Sequence, residues 1–206
     1  MSSSTDQVPP AHPRIAPVSD PTDEQSEILG KTKMEDGPPA NVFATMAHSP
    51  KLLKRFNVLG GYFMGHGQLP SRLRELSILR TAHRTACLYE FAQHRGIALR
   101  SSLLDQTEIA HVVTDAKETW AEQELAIIEA TDELCAVPCL SSTMWQRLES
   151  FLDTQQLMEL TLLVGFYRGL AGFINSIGVQ VDDHFEGPEA SWPAERSDRQ
   201  DRTSIP

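Results

Sequence analysis

An all-α protein is the fold class that the sequence predicts, and three observations predict it. Apolar residues recur three and four apart through most of the chain from residue 40 to residue 178. No stretch alternates apolar and polar residues with period two for long enough to make a strand, and Val179-Gln180-Val181 is too short to count. Pro, Gly, Ser and Asp punctuate the apolar stretches at helix-length intervals. The expectation is a single domain of about seven or eight helices in a chain of 206 residues.

Residues 1–24 are rich in Ser, Pro and Asp, with Pro9, Pro10, Pro13, Pro17 and Pro21 spaced so that no helix can form. They read as a mobile arm, one able to wrap a neighbouring subunit. A short helix comes next, from Asp23 to Leu29, and Gly37-Pro38-Pro39 breaks the chain before a second, Ala40 to Ala47. Ser49 as N-cap and Pro50 in the first turn open a helix through about Met64. Pro70 starts the next, on which Leu73, Leu76 and Leu79 trace the buried stripe and Glu75 sits at its edge. A helix from about Cys87 to Arg100 comes after it. Asp105 caps a short helix to about Val113, Thr119 or Ala121 opens one running to Leu134, and Ser141 or Ser142 caps one to about Leu152.

The final helix, Thr154 to about Gly178, carries two apolar seams and therefore two packing partners. Its Leu157–Val179 run is long enough to cross a bilayer, but Glu159, Arg168 and Asn175 interrupt it, which favours a buried helix in a protein without a membrane span. Residues 25–185 form the folded domain in this reading, and residues 186–206 a polar tail.

A net charge of −10 argues against nucleic acid or an anionic membrane surface as the main partner, since both require a basic face. Three cysteines without a paired pattern fit a reducing compartment, and the polar N-terminus carries no signal-peptide core, so the expected location is cytoplasmic.

The chemistry concentrates in Cys87-Leu88-Tyr89-Glu90-Phe91-Ala92-Gln93-His94. On a helix, Cys87, Glu90 and His94 stand three and four residues apart on one face. Glu75 lies twelve residues before Cys87, on the preceding helix. Histidine is the side chain most easily poised to move a proton near neutral pH. Glu90, one turn earlier, is placed to fix its tautomer; Glu75 can do the same from the neighbouring helix, or carry a proton itself if burial raises its pKa. The same spacing also fits a histidine hydrogen-bonded between two packed helices. Cys87 lacks a partner at Cys-x-x-Cys spacing, and Cys135 and Cys139 look structural. His66 and His83 are the other candidates for a zinc site with Glu90 and His94, but no HExxH or paired-Cys pattern is present, so no metal is expected. No GxGxxG, Walker or GxSxG motif supports a nucleotide cofactor or a serine nucleophile, so no cofactor is expected.

Leu69-Pro70-Ser71-Arg72-Leu73-Arg74-Glu75-Leu76-Ser77-Ile78-Leu79-Arg80, then Cys87 through His94, resembles the core of the carboxymuconolactone decarboxylase superfamily, which includes the alkylhydroperoxidase AhpD-like proteins. Phe173-Ile174-Asn175-Ser176-Ile177-Gly178-Val179 resembles it too, and the likeness spans roughly residues 40–185. The peroxidase branch has its Glu, first Cys and His where Glu75, Cys87 and His94 stand. Its second cysteine falls on position 90, which here is Glu90. Without that thiol a disulfide cycle cannot close within one subunit, so the resemblance points to the decarboxylase-like branch.

The resemblance implies a helical bundle built on a helical hairpin, assembled as a homotrimer or homohexamer, with the site near the helices carrying Glu75 and His94. It implies a carboxy-lyase working without metal or organic cofactor on a small carboxylated lactone or β-keto acid. His94 is the expected general acid/base, tuned by Glu90 and Glu75. Cys87, Arg72 and Tyr89 are the expected substrate contacts, Arg72 by charge-assisted hydrogen bonds to a carboxylate. The same residues would serve an isomerase or dehydratase, because they specify proton handling and not the bond broken. A thiol peroxidase and a non-catalytic oligomeric binding protein are the remaining readings.

Overall fold

The computed structural model describes residues 9–32, 37–114, 116–185 and 191–193. Among these, nine α-helices succeed one another: α1 (Asp23–Gly30), α2 (Asn41–Met46), α3 (Pro50–Gly65), α4 (Ser71–Arg84), α5 (Leu88–Arg100), α6 (Gln106–Val112), α7 (Glu122–Ala136), α8 (Ser142–Glu149) and α9 (Thr154–Ile177), with one 3₁₀ turn (Lys117–Thr119) before α7. No strand occurs among the described residues. The fold is therefore all-α, with nine helices among the described residues where about seven or eight were expected; each lies close to a segment that the sequence placed as a helix, the short α1 and α2 included.

Several helix starts arise from local chemistry. Thr22 and Gln25, Asp105 and Glu108, and Asp153 and Gln156 each form a reciprocal capping box at the starts of α1, α6 and α9. Each cap satisfies two otherwise orphaned backbone N–H groups, and a cap contributes about 1 kcal/mol. Ser141 caps α8 by accepting from Met144 N–H. Ser49 occupies the N-cap position of α3, but its side chain makes no capping bond, and Pro50 supplies the start. At the α4–α5 turn, Ala86 adopts a left-handed conformation (φ 51°), and Cys87 N–H bonds back to Ala82 C=O at 2.9 Å.

α4 is the central helix: α5, α7, α9 and α6 all pack on it. Every residue from Glu75 to Ala82 is buried, which corrects the expectation that Glu75 sits at the edge of the buried surface. So polar a segment can be buried because its side chains are partnered. Ser77 and Thr81 bond to the carbonyls one turn back, and Arg80 forms a two-pronged ion pair with Asp132, 2.7 Å at each contact.

The two seams of α9 differ in burial. Leu157, Leu160, Val164, Tyr167, Ala171 and Ile174 are all buried. The second seam is partly covered, and its Phe166 and Leu170 border a cavity. α9 is the one helix among the described residues that is long and apolar enough to cross a membrane, but here it packs on α4, α7 and α8 as a core helix.

Of the expected N-terminal arm, 1–24, residues 1–8 lie outside the described residues, and residues 9–22 make contacts with their own chain. Arg14 bonds through N–H to Ile177 C=O (2.7 Å) and through Nη1 to Ser176 C=O (2.9 Å), and Val18 N–H bonds to Ala44 C=O. Of the expected C-terminal tail, 186–206, only residues 191–193 are described; Trp192 rests on Phe91 and His83, and the rest lies outside the described residues.

Candidate active site

Two helices meet to make the site. α4 delivers Glu75 and α5, the next helix along the chain, delivers Glu90 and His94. His94 Nδ1 lies 2.8 Å from Glu75 Oε2, and Arg74 Nε donates to Glu75 Oε1 at 3.1 Å. Burial by itself pushes the Glu75 carboxyl up. The His94 ring and the Arg74 guanidinium outweigh it and hold the group below its ordinary value, so Glu75 is the ionised member of the cluster. A carboxylate on Nδ1 fixes the ring orientation and leaves Nε2 as the nitrogen that Glu75 does not engage. The Tyr167 ring meets His94 edge-on, with centroids 5.0 Å apart at 87°.

Glu90 was expected to orient the imidazole, and it does not; that place belongs to Glu75. Glu90 is only 2% exposed, and neither carboxyl oxygen has a hydrogen-bond partner. Burial drives its pKa well above the ordinary carboxylate value, and no cation opposes the shift, so the environment favours the neutral acid. The two carboxyls thus differ in kind. One is paired with histidine and its pKa is lowered; the other is unpaired and its pKa is raised. Environments that separate two titratable groups in this way are characteristic of acid/base assignments.

Glu90 and His94 both line a cavity of about 430 Å³ between α3, α5 and α9, bordered also by Val42 and Phe43 of α2. Its walls are chiefly apolar: Phe43, Phe56, Met64, Phe166, Tyr167 and Leu170. Tyr89 also lines it, but its hydroxyl is committed: it accepts from Val42 N–H at 3.2 Å and donates to Asp182 at 3.1 Å. Gln93 donates to the same carboxylate, and Asn41 N–H does so at 2.6 Å, so Asp182 ties the C-terminal segment over the start of α2.

The other expected contacts are not brought into this cavity. Arg72 is held by Glu108 and Glu124, each at 2.6 Å, and by Leu103 C=O at 2.5 Å; it fastens α4 to α6 and α7 and does not border the cavity. Cys87 is fully buried at the N-cap of α5 among Leu53, Tyr89 and Ala171. Burial, and then the nearby Glu90, push its thiol up, which is the opposite of an activated thiolate. All three cysteines are free. Among the described residues no group of three His, Cys, Asp or Glu side chains is arranged to hold a metal ion, and His66 and His83 do not join Glu90 and His94 at the cavity.

One polar residue was missed by sequence reasoning. Asn57 on α3 lines the cavity with its Nδ2 buried and unpartnered. Its signal was its register: it falls four residues after fully buried Leu53, on the inward side of α3.

Residues 50–133 match the model of the carboxymuconolactone decarboxylase family. Comparison with curated proteins found no match. Among solved structures, an uncharacterised peroxidase-related protein from Silicibacter sp. TM1040 superposes with a TM-score of 0.73 at 16% identity, covering 91% of this chain and 98% of its own. A peroxidase-related protein with an alkylhydroperoxidase AhpD core from Ralstonia eutropha JMP134 does so at 0.71 and 21% identity, covering 84% and 95%. The debrominase Bmp8, in complex with 2,3,4-tribromopyrrole, gives 0.70 at 13% identity, covering 84% and 94%. At these identities the structural likeness speaks for the fold alone. The family match in residues 50–133 contains Glu75, Cys87, Glu90 and His94, and the helical frame around it is shared with the AhpD-like structures; over these residues the chain is similar to the carboxymuconolactone decarboxylase family.

Proposed function

We propose that this chain is a cofactor-independent acid–base enzyme acting beside a carbonyl group, and that the reaction is decarboxylation of a β-keto acid or a carboxylated lactone. The observation that carries the reading is that His94, paired with Glu75, and a buried, unpartnered Glu90 line one apolar cavity. In the forward step the bond between the α-carbon and the carboxylate breaks. CO2 leaves, and the electron pair passes to the neighbouring carbonyl as an enolate. His94, in its protonated form and held by Glu75, donates a hydrogen bond from Nε2 to the enolate oxygen and keeps its proton, and Glu90 delivers its proton to the α-carbon. Glu90 then recovers a proton from water, so each turnover consumes one proton.

A second reading is supported by the cavity's charge. Of the described lysines and arginines only Lys31 borders it, exposed at the rim and paired with Glu27 at 2.6 Å. Among the described residues no guanidinium lines the cavity to meet a substrate carboxylate, and that favours an uncharged substrate. In an isomerase or dehydratase, His94 Nε2 would take a proton from the α-carbon and Glu90 would return one, to another carbon or to a departing hydroxyl. The thiol-peroxidase reading has little behind it, since Cys87 is buried and position 90 carries no resolving thiol.

The proposal extends to assembly and location. Leu52 and Val58 on α3 and Met158 and Leu162 on α9 are exposed apolar residues suited to a homotrimer or homohexamer contact, and free thiols suit the cytoplasm. The test is CO2 release and product analysis on carboxylated lactones and β-keto acids, with His94→Ala in parallel. CO2 from the wild type alone, without added metal or thiol, supports the lyase. Consumption of substrate without loss of CO2 moves the assignment to the second reading. An inert wild type across both substrate classes overturns the acid–base reading.

A further inference from the structure

The cavity that holds Glu90 and His94 also constrains the shape of the substrate. Two buried polar groups face it without a protein partner: the Glu90 carboxyl from α5 and Asn57 Nδ2 from α3. A buried group left unpaired costs about 1–3 kcal/mol, so a pair of them on one apolar cavity is most simply understood as a pair that meets a ligand. Asn57 Nδ2 can only donate. Glu90, as a neutral acid, donates as well. The ligand therefore presents two acceptor oxygens.

The walls specify the rest. Phe56 and Phe166 stack at 5.2 Å and 27°, with Phe43 edge-on to Phe56 and Tyr167 edge-on to Phe166. A volume of about 430 Å³ is that of a site for a drug-sized ligand, and flat aromatic walls favour a flat ring system.

We propose, resting on the acid–base reading above in its uncharged-substrate form, that the cavity takes a ring-bearing dicarbonyl-type substrate, a cyclic β-dicarbonyl compound or its hydroxylated equivalent, with its rings among the aromatic walls and its two oxygens on Asn57 and Glu90. Asn57 is then a residue that determines specificity, and Glu90 meets the substrate as well as supplying the proton.

The experiment measures binding with probes that cannot enolise, so it is independent of turnover. The probes are 2,2-dimethyl-1,3-indandione, 2,2-dimethylindane, which keeps the rings and loses the oxygens, and 2,2,4,4,6,6-hexamethylheptane-3,5-dione, which keeps the oxygens, loses the rings and has no α-hydrogen. Dissociation constants are read by ligand-detected NMR on the full chain. The indandione is expected to bind at least tenfold more tightly than either control. Asn57→Leu is expected to remove about that factor for the indandione while leaving dimethylindane unchanged. Glu90→Gln, which still donates, is expected to retain indandione binding, whereas Glu90→Leu loses it. Melting curves verify that each variant folds.

The proposal is overturned if dimethylindane binds as tightly as the indandione, if the acyclic dione does, or if folded Asn57→Leu binds the indandione like wild type. If the indandione binds as expected but every enolisable substrate goes unturned, the acid–base reading fails and the ligand class stands. Turnover with no preference among the probes gives the converse.

Discussion

Glu75 and His94 stand nineteen residues apart in sequence on adjacent helices, and the carboxylate of one lies 2.8 Å from Nδ1 of the other. With Arg74 on its second oxygen, Glu75 is ionised and has both oxygens engaged. Glu75→Gln keeps the shape and removes the charge that sets the His94 tautomer. If His94 moves the proton, kcat should fall by about 10²–10⁴-fold with little change in KM, the range for a lost acid–base contribution. Steady-state kinetics on the substrate identified by the CO2 panel checks this. An unchanged kcat would leave Glu75 as a packing residue only.

Glu90 makes a prediction about stability against pH. Its folded pKa is raised by burial far above the 4.5 of an ordinary glutamate. Between those two values the folded state binds one proton more than the unfolded state, so unfolding free energy falls as pH rises, by up to about 1.4 kcal/mol per pH unit. The stabilising protonated form is fully present below the unfolded pKa and is lost as pH climbs towards the folded one. Glu90→Gln cannot titrate. It should be increasingly more stable than wild type as pH rises above the ordinary glutamate value. Paired thermal melts across that range test this, and parallel curves would mean that Glu90 finds a counter-charge in solution.

The sequence was informative where local rules decide and silent where tertiary geometry does. Period-3.6 patterning and capping residues located the helices, including the inward seam of α9 from Leu157 to Ile174. Glu75, Glu90 and His94 were recognisable as one cluster. Spacing alone suggested Glu90 as the histidine's partner, because both share a helix face. Which carboxylate reaches the ring depends on how α4 crosses α5, and that favours Glu75. Arg72 looked like a carboxylate anchor because its acidic partners, Glu108 and Glu124, are 36 and 52 residues away in sequence. Asn57 was passed over because a single polar residue on an amphipathic helix reads as exposed until the neighbouring helices are known.

Arg72 should therefore matter to folding and not to substrate. Its side chain is about a third exposed and bonds to two carboxylates and a carbonyl. Arg72→Met should cost about 1–2 kcal/mol, more than an isolated surface pair because three elements lose a common fastening. That corresponds to a melting temperature lower by about 3–6 °C. KM should be unchanged. A raised KM at constant stability would return Arg72 to the substrate.

Cys87 and Cys139 should differ sharply in reactivity. Cys139 is exposed, while Cys87 is fully buried with a thiol that burial makes harder to ionise. With a thiol-specific reagent at neutral pH, Cys139 should be modified first and Cys87 only on unfolding. Cys87→Ala should lower stability through the cavity it leaves and give no loss of kcat. Peptide mapping of the labelled protein reads the order, and early labelling of Cys87 would reopen a thiol-dependent mechanism.

Gly178 ends α9 in a left-handed conformation (φ 78°), and its N–H bonds to Ile174 C=O at 2.9 Å. A Cβ there would come within 2.5 Å of Pro10 Cγ and 3.0 Å of His12 C=O. Gly178→Ala therefore meets backbone strain of about 1–2 kcal/mol and must also displace the N-terminal segment. The segment is held by Arg14 on the Ile177 and Ser176 carbonyls, so pushing it aside strips the helix end of those partners. The variant should melt several degrees lower, and amide exchange should accelerate first in residues 9–18, with the core of α4 still protected. Removing residues 1–13 should relieve the clash, so that Gly178→Ala costs less in the truncated chain than in the full one. Equal costs in the two backgrounds would show that the strain at Gly178 alone sets the effect and that the segment does not bear on α9.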